Sequence, residues 1–275
     1  MDAPHLSVAI TIDHDAISDA IRRGDPPVTI SHAEFGPRVG IKRILALLAE
    51  RSIPATFFVP GHSLTTFTDD TEAILAGGHE IGCHGWFHED FADLSDDQAR
   101  EVLDRSIEAV RAVTGQAPTG WRAPYWSLGK TTLGLVEAAG FGYDSSLMAD
   151  DYRLYRVRHG DHHSLTEGTT WGQPGALVEV PVYWAMDDWP QFEPAPNRAG
   201  LKAPSAVLEI WTEELRYAHR HAPGGLVMIT VHPECIGRGH RMAMLERFID
   251  AAAALDGVAF ERLDAVVARW SAEQG

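Results

Sequence analysis

Short apolar runs alternate with longer amphipathic stretches along the whole chain. Val8 to Ile12 is an unbroken, β-branched run and reads as a buried strand. Residues 16–35 carry Gly24, Pro26 and Pro27 and read as a loop over the strand ends. From Val39 to Leu48 apolar residues fall at 39, 41, 44, 45, 47 and 48, the period of a helix with one buried face, and Pro54 stops it. Ala55 to Val59 is the second predicted strand. A helix closing at Gly77-Gly78 follows, and then a third strand, His79 to Cys83. Ser95-Asp96-Asp97-Gln98 has the form of a capping box and opens a helix that runs to Val113. Gly120 to Tyr125 reads as a short strand turned at Pro124. Leu128 to Ala139 reads as a helix closed by Gly140, and Phe141 to Asp144 as a strand. Residues 145–175 are expected to be irregular. Then come a strand over Leu177 to Val182, a helix over Val207 to Tyr217 and a strand over Leu226 to Val231. A helix over Met242 to Leu255, a short strand over Val258 to Phe260 and a last helix complete the chain.

Strand and helix in steady alternation predict an α/β fold with a parallel sheet covered by helices. Polar residues gather after the strands, which favours a (β/α) barrel, because such barrels carry chemistry at the carboxyl ends of their strands. An open doubly wound sheet is the second choice. No Gly-rich dinucleotide fingerprint follows the first strand. No linker divides the sequence, so residues 1–275 are expected to form one catalytic domain.

Those strand ends are chemically uniform. The first closes on Asp13 and Asp15, two apart and so on one side of an extended chain. The third leads into His84 and His88, four apart, a spacing that puts both imidazoles on one side of a helical turn. Asp15, His84 and His88 make a set of two imidazoles and one carboxylate that suits zinc or non-haem iron(II) and leaves positions open. Cobalt, nickel and manganese accept it too. Arg122 lies in an apolar stretch before Pro124-Tyr125, Asp144 ends another strand, and His232 ends the late one.

Composition narrows the partners. The formal charge of -16 and the lack of a basic stripe argue against nucleic acid and against an anionic membrane surface. The first residues lack a signal-peptide pattern, and no apolar run is long enough to span a bilayer, so a cytoplasmic location is expected. Two cysteines, Cys83 and Cys235, do not make a disulfide framework and are expected to be reduced.

The ordered set TIDHD (from Thr11), HEIGCHGWFHE (from His79), WRAPYWSLG (from Trp121) and ITVHPE (from Ile229) resembles the polysaccharide deacetylase superfamily. The tracts YDSSLMADDY (from Tyr143) and HPECIGRGHR (from His232) are similar to the branch that holds peptidoglycan deacetylase-like enzymes and cyclic imide and ureide hydrolases. The resemblance implies a distorted, seven-stranded barrel and metal-dependent hydrolysis of a carbon–nitrogen bond other than a peptide bond. It implies that Asp13 is the general base, that Asp15, His84 and His88 bind the metal, and that Arg122 holds Asp13. It implies too that the backbone N–H of Tyr125 stabilises the oxyanion and that His232 is the general acid. His14 intervenes where the wider family has adjacent aspartates, a spacing found in the branch just named. Asp187 and Asp188 are both candidates to orient His232. Members of this branch are often homo-oligomers.

Two substrate classes follow, an N-acetylated sugar such as an oligosaccharide and a small-molecule imide or ureide ring. A non-haem iron oxygenase and a non-catalytic metal-stabilised binding protein are the competing readings. Trp86, Trp126, Trp184 and Trp189 read as core before ligand platform. His162 and His163 read as solvated. Arg238 and Arg241 are candidates for an anionic substrate group, with a charged loop an equal reading.

Overall fold

Eight successive buried residues, Leu6–Asp13, form β1, as a strand covered on both faces requires. In this computed structural model, which describes residues 4–193 and 201–274, the chain then turns through α1 (Ser18–Arg22), α2 (Pro27–Phe35) and α3 (Ile41–Arg51). Next come β2 (Thr56–Val59), α4 (Gly61–Thr66), α5 (Thr68–Ala76) and β3 (Glu80–Cys83). Beyond them lie α6 (Asp96–Thr114), β4 (Gly120–Trp121), α7 (Thr132–Ala138) and β5 (Tyr143–Asp144). β6 (Tyr155–His159), β7 (His162–Ser164), β8 (Gly168–Thr170) and β9 (Gln173–Glu179) precede α8 (Trp189–Phe192). The chain ends with α9 (Pro204–His221), β10 (Gly225–Val231), α10 (Pro233–Ile236), α11 (Gly239–Ala253), β11 (Val258–Phe260) and α12 (Leu263–Gln274).

Seven parallel strands run side by side in the order β10, β1, β2, β3, β4, β5, β9. β6 extends that path antiparallel to β9, and β11 pairs with the start of β1. The curled sheet is a distorted barrel. A single backbone bond, Leu226 N–H to Tyr152 O at 2.9 Å, ties β10 to the segment before β6. β1 shows the layering. Val8, Ile10 and Ile12 pack outward under the helices, while Ala9 faces the inner cluster with Phe58, Tyr143, Val178 and Met228. Thr11 and Asp13 share the inward side with Ala9, so polar groups enter the barrel on the period-two pattern. α12 closes the amino-terminal end with Leu263, Val266 and Val267. Among the described residues, no helix is long and apolar enough to cross a membrane.

Three local expectations need correction. Residues 16–35 are not a loop: Pro26 caps α2 and Pro27 opens it, where a missing N–H is harmless, and Gly24 turns the chain before it at φ 66°. The tract 145–175 is not irregular throughout. β6 buries only Val157, and the β7–β8 hairpin stands off the body, so neither carries an apolar period. β9 begins at Gln173 and leaves the sheet after Glu179, because its first half is an exposed ladder against β6. One π-turn, Gly36–Gly40, joins α2 to α3. Glycine is required at 40: a Cβ there would lie 2.0 Å from the Pro233 carbonyl oxygen. That close approach seats the turn after His232.

Candidate metal centre and catalytic residues

Asp13, Asp15, His84, His88, Arg122 and His232 converge at the carboxyl ends of β1, β3, β4 and β10, and none is more than a tenth exposed. His84 Nε2 lies 3.5 Å from Asp15 Oδ1, and His88 Nε2 lies 3.3 Å from Asp15 Oδ2. Their ligand atoms all fall within 4.8 Å of one another. The histidines do not share a helical turn. After β3 the chain reverses through Gly85 at φ 71° and His88 at φ 60°, so a folded loop brings the two rings together edge to face at 4.9 Å.

Polar accounting shows what the loop holds. The Nδ1 of His84 bonds the Arg122 carbonyl at 2.9 Å, so it carries the proton and Nε2 turns a lone pair toward Asp15. Asp15 Oδ1 is buried and has no hydrogen-bond partner among the described residues. A lone pair facing an unpartnered carboxylate is unfavourable unless a cation lies between them. Burial pulls His84 down to about 4, which keeps it a neutral donor. Burial also acts to lower His88, but Asp15 and Asp19 outweigh it and raise it, so the acids draw positive charge to this spot. The donor set fits one divalent ion.

Asp13 stands beside this group. Arg122 Nη1 donates to Asp13 Oδ1 at 2.7 Å and to Thr11 Oγ1 at 2.9 Å. Burial pushes Asp13 up, yet Arg122, His84 and His232 together hold it below the usual carboxylate range. The guanidinium is wholly buried over the Phe58 ring, 4.1 Å from its centroid. Asp13 Oδ2 faces His84 Nε2 at 3.7 Å and His232 Nε2 at 4.0 Å.

Of the two acids offered for His232, Asp188 is the partner. Its Oδ1 takes His232 Nδ1 at 2.7 Å, and both of its oxygens accept the His232 backbone N–H at 3.1 Å. Asp187 lies 3.7 Å from Nδ1 and is held by the Trp189 amide. Burial would lower His232, but Asp188, Asp187 and Asp13 outweigh it and raise it well above 6.5. These acids favour the protonated ring.

Tyr125 has φ 58° and Trp126 φ 53°, two left-handed residues in succession. The turn is braced by Trp126 N–H to Ala123 O and Ser127 N–H to Pro124 O. The Tyr125 N–H has no hydrogen-bond partner among the described residues. Its phenol donates to Asp19 on α1, and Arg22 Nη2 donates to both Tyr125 Oη and Asp19 Oδ1 at 2.9 Å. Sequence reasoning missed Asp19 because it read this segment as loop. The arginine pair at 22 and 23, three and four residues after an acid, is the helical spacing that marks it.

Other expectations resolve simply. Cys83 and Cys235 are free, buried thiols. Arg241 is committed to Glu193 at 2.6 Å, and Arg238 lies over the Phe35 ring. His162 and His163 are exposed. Trp184 is 45% exposed with its ring 4.4 Å from that of Trp126, a half-open aromatic pair in place of the core expected.

Comparison with known proteins places this geometry among relatives. The family model for polysaccharide deacetylase matches residues 25–143. A peptidoglycan deacetylase from Helicobacter pylori is 34% identical over 90% of this chain and 90% of its own. A peptidoglycan deacetylase-like protein from Gibberella zeae is 30% identical over 88% of this chain and 79% of its own. The solved structure of a candidate polysaccharide deacetylase from Mycobacterium smegmatis superposes with a TM-score of 0.85 at 35% identity, covering 99% of this chain and 92% of that one. The structure of Puue allantoinase shares the fold, with a TM-score of 0.81 at 24% identity over 98% of this chain and 91% of its own.

Proposed function

Because the chain belongs to the polysaccharide deacetylase family, whose members hydrolyse carbon–nitrogen bonds other than peptide bonds, we propose that it opens such a bond in a small cyclic imide or ureide. Asp15, His84 and His88 would hold a divalent ion, zinc first among the candidates. When bound there, the ion supplies Lewis acidity, acidifying water and polarising the amide carbonyl. Asp13 takes the proton of the attacking water at Oδ2, since Arg122 occupies Oδ1 and keeps the group ionised. The Tyr125 N–H donates to the oxygen on which negative charge develops. His232 passes its Nε2 proton to the leaving nitrogen, and Asp188 holds the other ring nitrogen and stabilises the cation before transfer. Family membership sets aside the oxygenase reading of the same donor set.

One observation carries the choice of a small substrate. The candidate side chains are all nearly buried, and the Tyr125–Asp19–Arg22 bridge ties α1 to the turn beside His88. A polymer strand needs an open groove, whereas a small planar ring needs far less room. The second reading, an N-acetylated sugar, draws on the Helicobacter pylori relative and on the Trp126–Trp184 pair, which suits stacking on a sugar face. Assays with zinc, cobalt or manganese decide between them. Ring opening of succinimide, hydantoin or allantoin is expected to exceed acetate release from N-acetylated chitooligosaccharides. The reverse order establishes the second reading, and no turnover of any of them removes both.

A further inference from the structure

Two carboxyl groups lie deep in the sheet, outside the reaction just described. Asp144 ends β5 and Glu179 ends β9, register neighbours on parallel strands, and both side chains are wholly buried. Asp144 Oδ1 accepts from Ser146 Oγ at 2.6 Å, and Glu179 Oε1 accepts from the Ser146 and Leu147 amides at 2.9 Å. Asp144 Oδ2 and Glu179 Oε2 are buried with no donor from any other described residue. Their register pairing across the two strands makes the two acids neighbours. Two bare carboxylates side by side would repel, and burial raises both groups, so the pair retains one proton.

What the pair grips matters to the site. Ser146 Oγ accepts the Ala123 N–H at 2.9 Å, two residues before Tyr125. Ser145 accepts from Arg122 twice, Nε to its carbonyl at 3.1 Å and Nη2 to its Oγ at 2.9 Å. The turn at 145–147, fixed from behind by the two acids, therefore fixes both the Arg122 guanidinium and the chain entering the left-handed turn. With one proton the pair carries one negative charge, which the buried Arg122 guanidinium attracts.

We propose that Asp144 and Glu179 are positioning residues acting as one unit, an acid–carboxylate pair that sets Arg122 and, through it, the proton-accepting oxygen of Asp13 and the Tyr125 turn. This rests on the roles proposed for Asp13 and Arg122. The chemistry of the pair makes a specific demand. Glu179→Gln keeps the acceptor for the two amides, replaces the shared proton by an N–H, and leaves Asp144 ionised. Asp144→Asn does the same with the roles exchanged. Each single change thus preserves the charge and adds one N–H. The double change sets two amide N–H₂ groups against each other and removes the negative charge beside Arg122.

The test uses the metal-loaded protein and whichever of succinimide, hydantoin, allantoin or an N-acetylated chitooligosaccharide the wild type turns over fastest. Each single variant is expected to keep kcat within about threefold, while the double loses about 30-fold or more with KM little changed, a departure from additivity that marks residues acting as a unit. Infrared difference spectra above neutral pH give an independent reading: one neutral-acid carbonyl band of the wild type is expected to vanish in either single variant. That reading decides the matter even if the double variant does not fold. A double variant whose loss equals the product of the two singles overturns the proposal, as does a wild type lacking the band. Arg122→Ala separates the levels. If it is inactive while the double variant behaves additively, only the pair is refuted. If it retains full turnover, the catalytic reading of Arg122 fails and the pair's role goes with it.

Discussion

The two ends of β3 each bury carboxylate chemistry, about 10 Å apart by strand rise, and they are built on opposite terms. At its start Glu80 has every need met. Tyr143 Oη donates to Oε1 at 2.9 Å, and Thr56 Oγ1 and the Asp264 amide donate to Oε2 at 2.7 and 3.1 Å. Beyond its end, Asp15 Oδ1 and His88 Nδ1 are buried with nothing from the described residues to bond, and two successive residues hold left-handed backbone. Acids are buried at both ends of the barrel, so burial does not tell them apart. Satisfaction does. The saturated cluster ties α12 to the floor of the barrel, and the unsatisfied one keeps donors and acceptors for something the chain does not supply.

The largest effects should follow from changing the unsatisfied cluster. Asp15→Ala is expected to abolish metal uptake, and Asp13→Asn to keep the metal but lose about 10²–10⁴ in kcat, the range of a proton-transfer group. Metal analysis and turnover together check the pair. Chelation gives a second measurement: saturating metal should raise the melting temperature of the wild type, a linkage worth about 2.7 kcal/mol at a hundredfold excess over Kd. Asp15→Ala should show no such rise. Retained metal in that variant would contradict the ligand assignment.

A smaller effect should appear as pH dependence. His232 is raised above 6.5 because Asp188, Asp187 and Asp13 outweigh its burial, so turnover should persist through neutral pH and fall on the alkaline side, as the acid loses its proton. Asp188→Asn removes the first of these supports, and the alkaline limb is expected to move to lower pH. Stability follows the same sign. A raised folded-state value stabilises fully below the unfolded value near 6.5, and that contribution disappears as pH rises through the folded value. Asp188→Asn should lose this stabilisation on the acid side and flatten the decline. An alkaline limb that stays in place in the variant would mean that His232 is not the acid.

The same contrast explains what the sequence could tell. β1, β2 and β10 are legible because apolar and β-branched residues dominate each, and the capping box at Ser95 forms as written, with Gln98 bonding back to the Ser95 amide. The meeting of the candidate residues was legible because strand ends of a parallel sheet converge, and Asp13, Asp15, His84, His88, Arg122 and His232 lie together there. The loop that joins His84 to His88 was not, since a spacing of four fits a helix as well as a turn through Gly85. Nor was the choice of Asp188 over Asp187. Adjacent acids look alike in a sequence, and only the folded contacts with the His232 ring nitrogen and amide separate them. Glu179 carried no signal at all, because its partners, Asp144 and the 146–147 amides, lie across a strand pair of distant sequence.

The smallest expected effect on catalysis tests the saturated end. Burial, with Asp264 adding to it, raises Glu80 to about 7, while hydrogen bonds from Thr56 and Tyr143 oppose the rise. The folded protein therefore binds a proton that the unfolded chain releases near 4.5, so stability should be greatest at acid pH and decline as pH climbs through 7. At about 1.4 kcal/mol per pH unit, the penalty for ionising this group is about 3 kcal/mol in alkaline solution. Glu80→Gln keeps an acceptor for Thr56 and the Asp264 amide, and offers an N–H to the Tyr143 hydroxyl in place of the oxygen. The variant should match the wild type near pH 5, exceed its melting temperature near pH 8, and leave kcat within about twofold, because no group at this end needs a metal or a substrate to be satisfied. Thermal unfolding across that range measures it. Equal slopes for the two proteins would mean that Glu80 is ionised at every pH tested and that its three donors suffice to stabilise the charge; a loss of turnover would show that the two ends of β3 are coupled.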